Sequence, residues 1–236
     1  MRATLPLTDL VRLRRFPLVT VALVAANVLV WLGYQVPRGL DTSVTQLGFR
    51  PCEATGACAD TALPWAAQAA TSMFAHGGWS HLAGNLVFLG AFAPRLEDRL
   101  GRLDLLGLYL AAGLAATGLD AVITLALAPA DIGEIPSIGA SGAISGVVGA
   151  YVILYPFERV LTWVVPALFL RIPALGLLGA WFALQLLEGA YTLGHPDAFV
   201  GIAFFAHVGG FATGALATFA LAGKALHRGP PAARPA

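Results

Sequence analysis

The chain has 236 residues, of which 58% are hydrophobic and 11% charged, with a net charge of +1. A soluble domain of this size carries about 25% charged residues, so there is too little polar surface to cover a water-soluble globule, and a membrane protein is expected. The near-neutral charge gives no case for nucleic-acid binding.

Six apolar runs, at 16–36, 79–94, 103–128, 139–156, 172–193 and 199–222, reach or approach the length that spans a bilayer. The expected fold class is an all-α membrane bundle of six helices. The first run is not a cleavable signal: it ends in WLGYQVPRG with no small-residue cleavage site. The domain reading is a cytoplasmic segment 1–15, a membrane domain 16–224 and a disordered tail 225–236 ending in RGPPAARPA. With the N-terminus inside, twelve Lys and Arg fall on inner loops, and only Arg38 and Arg50 fall outside. That asymmetry sets both termini in the cytoplasm, and a bacterial inner membrane is expected.

The connection 37–78 is the longest and lies outside. It holds the only cysteines, Cys52 and Cys58. An oxidising face permits a disulfide between them, and two unpaired thiols in the loop are the alternative. Without a clustered histidine pair they do not suggest zinc. The stretch 160–170, VLTWVVPALFL, contains Pro166 and reads as an interfacial connector into the fifth helix. No internal repeat of the kind that marks transporter halves is found.

Polar side chains inside a bilayer are costly, so where they lie matters. Helices two, four and six all begin at the outer face. His81 and Asn85 fall in the first turns of helix two, Ser141 at the start of helix four, and His207 about two turns into helix six. Singly, each reads as packing or an interhelical bond; four on one level is harder to explain that way. Gly142 and Gly146 form G-x-x-x-G on helix four, and Gly210 and Gly214 form it on helix six. Small residues at that spacing let two backbones approach closely, which would carry Ser141 within hydrogen-bond reach of His207. An imidazole base is what a serine needs to become a nucleophile. His81 and Asn85, at i and i+4, share a helix face and supply N–H donors for an oxyanion. The amides at the start of helix four supply more. The fourth run, 139–156, is short, so a water-filled recess above it is expected.

At this point HGGWSHLAGN (76–85), GASGAISGVVGAYVILYP (139–156) and AHVGGFATG (206–214) resemble the three signature regions of the rhomboid intramembrane serine proteases, over residues 16–224. The turn RLEDRLG (95–101) is also similar to that family's segment between helices two and three. The resemblance implies a dyad of Ser141 as nucleophile and His207 as general base, with His81 and Asn85 stabilising the oxyanion. His76 matches the outward histidine of the H-x4-H-x3-N pattern, and Gly139, Gly142, Gly210 and Gly214 are supporting positions. It also implies transmembrane protein substrates, contact with membrane lipid, and no metal or cofactor.

Two departures stand out. A Trp-Arg pair common nine and eight residues before the first histidine is Ala67-Gln68 here, with Trp65 displaced. Four residues after the nucleophile, where many relatives carry an aromatic packed on the histidine, stands Ser145. Another aromatic holding His207, or a bond from Ser145, is then expected. Asp120 and Glu188 are acids towards the outer ends of helices three and five, and Asp120 is a candidate third member orienting His207. Two further readings share these residues: an inactive relative that binds transmembrane clients, and a small transporter, which would need polar residues continuing to the inner face.

Overall fold

The computed structural model describes residues 13–59, 63–165, 168–195 and 203–227. Residues 1–12 of the N-terminal segment, Pro166 of the connector, Pro196 and Gly201 before helix six, and tail residues 228–236 lie outside these. The described chain is mostly helical. In order it forms α1 (Leu18–Val30), a π-helical turn (Trp31–Gln35), α2 (Val36–Arg38), α3 (Leu40–Leu47), α4 (Pro51–Thr55), α5 (Trp65–Thr71), α6 (Trp79–Leu100), α7 (Arg102–Leu127), α8 (Ser141–Leu154), β1 (Arg159–Val165), β2 (Leu168–Pro173), α9 (Ala174–Gly194) and α10 (Phe204–His227). Four stretches are long and apolar enough to cross a membrane: Leu18–Arg38, Arg102–Leu127, Ala174–Gly194 and Phe204–Leu221. The chain is an integral membrane protein of helical build.

α8 is the axis of the bundle. Every residue from Gly142 to Val152 is buried, so eleven of the 14 residues of this helix lie inside the protein. Around it Leu89, Phe92 and Leu96 of α6, Leu105 and Tyr109 of α7, and Leu178 of α9 close the core. Phe92 meets Tyr151 edge-on, their ring centroids 4.9 Å apart, as aromatic pairs prefer.

Three stretches take a form that the apolar runs alone do not give. Helix two does not stop at residue 94: α6 runs through Pro94 to Leu100. RLEDRL is therefore helix, and the chain reverses at Gly101. The reason lies in its charges. The Glu97 carboxylate accepts the N–H groups of Val19 at 3.0 Å and Thr20 at 2.8 Å, as well as the Thr20 hydroxyl at 2.9 Å. It thus caps α1 from a neighbouring helix. Arg95 pairs with Glu158 at 2.9 Å and lies over the Tyr155 ring at 4.3 Å, tying the same end of α6 to the chain after α8.

The connector 160–170 is an antiparallel hairpin, with Arg159 opposite Pro173 and Leu161 opposite Arg171. Its β-branched and aromatic residues suit a pleated surface. The outer connection 37–78 is not an open loop either, because it folds into α3, α4 and α5.

Candidate active site

Above α8 lies a recess of about 480 Å³, walled in part by Gly77, His81, Asp120, Ser137, Ser141 and His207. Ser141 is the first residue of α8. Its approach depends on Gly139, whose φ of +125° is one that side chains rarely adopt. A Cβ there would also stand 2.8 Å from His81 Nε2. Gly139 donates its N–H to the Ser72 carbonyl at 2.8 Å, which fixes the strap that delivers the serine.

His207 sits in the first turn of α10. Its Nε2 is 2.9 Å from Ser141 Oγ. That distance follows from backbone contact between α8 and α10: a Cβ on Gly210 would overlap the Gly142 carbonyl, and one on Gly214 the Gly146 carbonyl. Helices this close carry their side chains into register without intervening groups.

His81 Nδ1 accepts the Gly77 N–H at 3.2 Å. The ring proton therefore resides on Nε2, the atom nearest Gly139 and the start of α8. Asn85, one turn further along α6, is buried, and its amide nitrogen has no hydrogen-bond partner among the described residues. His76 does not line the recess. It is fully buried behind His81, the two rings edge-on at 5.1 Å. Burial, and then the neighbouring His81, lowers the His76 imidazole from its ordinary 6.5 to about 4.

Asp120 does not reach His207. Its carboxylate faces the Ser137 side chain and the backbone of Ala206, between the strap before α8 and the start of α10. The partner of His207 Nδ1 is Gln185 of α9, with Oε1 at 2.5 Å. Ser145 does not contact the imidazole, since its hydroxyl donates to the Ser141 carbonyl at 2.6 Å. The aromatic beside His207 is Trp181, also on α9, at 5.7 Å between ring centroids. Glu188 is exposed on α9.

Two outer features complete the frame. Cys52 and Cys58 are joined as a disulfide, with Cα atoms 5.4 Å apart. Beside it the buried Gln68 amide donates to Glu53 at 3.0 Å and to the Leu63 carbonyl at 3.1 Å. Arg50 pairs with the same Glu53 and donates to the Ala59 carbonyl at 2.7 Å. An arginine does anchor this segment, from position 50 rather than 68. Gln35, in the π-helical turn, grips the His76 backbone: its oxygen accepts the N–H at 2.8 Å and its nitrogen donates to the carbonyl at 2.9 Å. Such turns commonly mark functional positions. Nothing in the spacing of Gln35 or Gln185 singled out either residue.

The family model described as the Rhomboid domain matches residues 65–224. Among curated proteins, "Rhomboid protein 1, mitochondrial" of Saccharomyces cerevisiae is 30% identical over 145 residues, which is 61% of this chain and 39% of that protein. "Presenilin-associated rhomboid-like protein, mitochondrial" of Bos taurus is 29% identical over 137 residues, 58% of this chain and 33% of its own length. The matched regions thus span well under half of either relative.

Proposed function

The chain belongs to the rhomboid family, and on that premise we propose that it is an intramembrane serine endopeptidase cutting membrane-anchored proteins in or near their transmembrane segments. The observation that carries this reading is the 2.9 Å contact of Ser141 Oγ with His207 Nε2 at the floor of a recess. In the proposed reaction Ser141 Oγ attacks the scissile carbonyl carbon while its proton passes to Nε2. The tetrahedral oxyanion is met by the His81 Nε2–H, the free Asn85 amide and the Ser141 N–H. It collapses as the C–N bond breaks, and His207 gives its proton to the departing amine. Water from the recess then attacks the acyl-enzyme, with His207 again accepting a proton, and Ser141 is regenerated.

The proposed topology is six membrane passes with both termini cytoplasmic, α6 and the short α8 being the two beyond the four long apolar stretches. The positive-inside asymmetry then opens the recess away from the cytoplasm. A bacterial cell membrane draws no support from the matched relatives, both named as mitochondrial. Substrate entry is proposed to be lateral, by movement of α9. A transporter fits less well, because the apolar or small residues Gly142, Ala143, Ile144, Val147 and Val148 of α8 lie buried below Ser141.

A fluorophosphonate probe tests the reading without a known substrate. Labelling is expected for the wild type and Ser145→Ala, and none for Ser141→Ala or His207→Ala. A wild type inert in detergent and in lipid bilayers would favour a client-binding relative that does not cut.

A further inference from the structure

For a serine to be activated by His207, Nε2 must present a lone pair to Ser141 Oγ, so the ring proton must sit on Nδ1. An isolated neutral imidazole places its proton on either nitrogen, and which one is set by the bond the other nitrogen makes. Among the described residues no carboxylate bonds Nδ1, and Asp120 faces Ser137 and Ala206 instead. What faces Nδ1 is the buried Gln185 side chain, 2.5 Å away.

We propose, on the protease reading above, that Gln185 is the positioning residue of the general base, its amide oxygen holding the His207 proton on Nδ1 from the neighbouring helix. Only the oxygen orientation of the amide fits the chemistry. An amide N–H aimed at Nδ1 would force the ring proton onto Nε2, where it would point at Ser141 and leave no base. A neutral acceptor also suits the place. It bonds the N–H in both the imidazole and the imidazolium, without adding a buried charge that needs its own partner.

The grip is double. Trp181 and Gln185 stand at i and i+4, hence on one face of α9, and Trp181 lies against the same ring at 5.7 Å. Ser145 has surrendered the place from which an aromatic on α8 would hold the histidine, and α9 supplies the replacement. His207 is thus placed by α10 and oriented by α9. Displacing α9 would release the ring while leaving it near the serine.

The test uses the full chain in mild micelles, with three readouts for wild type, Gln185→Met and Gln185→Glu: melting temperature, fluorophosphonate inactivation rate, and imidazole 15N shifts assigned to His207 by difference from His207→Ala. The wild type is expected to show Nδ1 protonated and Nε2 bare. Gln185→Met, unbranched and of similar length, is expected to melt near the wild type yet show a tautomer mixture and react about tenfold to hundredfold more slowly. Gln185→Glu restores the acceptor and is expected to recover most of the rate and the Nδ1–H signature. A Gln185→Met protein with wild-type rate and tautomer would overturn the proposal and leave the protease reading intact. So would equal losses in both variants that track the melting temperature. A wild type that reacts with no probe would overturn both.

Discussion

Two of the helices packed on α10 hold it by opposite means. α8 meets it backbone to backbone: a carbon added at Gly210 or Gly214 would fall on the Gly142 or Gly146 carbonyl, and one added at Gly149 on the Phe211 carbonyl. α9 meets it through side chains: Phe182 stacks on Phe211 at 4.2 Å, Trp181 lies against His207, and Gln185 bonds to it. The first contact is incompressible and sets where the histidine stands relative to the serine. The second is made by side chains, which can change rotamer, and it faces the imidazole. On the proposed protease reading, a site that admits a substrate helix from the lipid and still aligns two atoms would assign rigidity to one neighbour and mobility to the other.

The largest effect is expected at the rigid contact. Gly210→Ala puts a Cβ onto the Gly142 carbonyl and should cost about 3 kcal/mol, seen as a large drop in melting temperature with loss of probe labelling. A Gly210→Ala protein that melts and labels like the wild type would remove the distinction between the two contacts.

A cross-link between α6 and α9 comes next. Cleavage of a transmembrane substrate should be lost, while a small probe entering from water still labels Ser141. If substrate cleavage persists, α9 is not the mobile side. Trp181→Ala should be milder, lowering the probe rate about tenfold with little change in melting. A fall in stability as large as that of Gly210→Ala would show that α9 is structural as well.

The smallest effect concerns a residue behind both contacts. His76 is held well below its ordinary 6.5, at about 4, so between these values the unfolded chain binds a proton that the folded one refuses. Stability is therefore full above pH 6.5 and declines as pH falls towards 4. His76→Gln should flatten that part of the melting profile. A profile unchanged by the substitution would assign the acid sensitivity elsewhere.

The sequence carried the rigid contact more plainly than the mobile one. G-x-x-x-G is a spacing with a geometric meaning, so Gly142, Gly146, Gly210 and Gly214 could be paired, and the pairing brought Ser141 towards His207. A single glutamine in an apolar run has no such spacing. Gln185 was not singled out, and the acid Asp120 was the candidate for that role instead. Gln35 was hidden likewise, since the π-helical turn that aims it leaves no composition signal. Arg50, Glu53 and Gln68 meet only because α4 and α5 fold the outer connection back on itself. The apolar run ends at Pro94, but tertiary bonds from Arg95 and Glu97 carry the helix past it. The hairpin at 159–173 was obscured because apolar β-branched runs look alike in a strand and at a membrane interface.

The most direct test of the account is cleavage in the bilayer. The wild type and Ser141→Ala would each be reconstituted in liposomes with a single-pass substrate protein bearing small, helix-breaking residues near its outer end, and the fragments sized by mass spectrometry. The account predicts one principal cut at or near the outer end of that segment by the wild type and none by Ser141→Ala. The same cut made by Ser141→Ala would contradict it, because the peptide bond would then be broken without the serine that His207 faces.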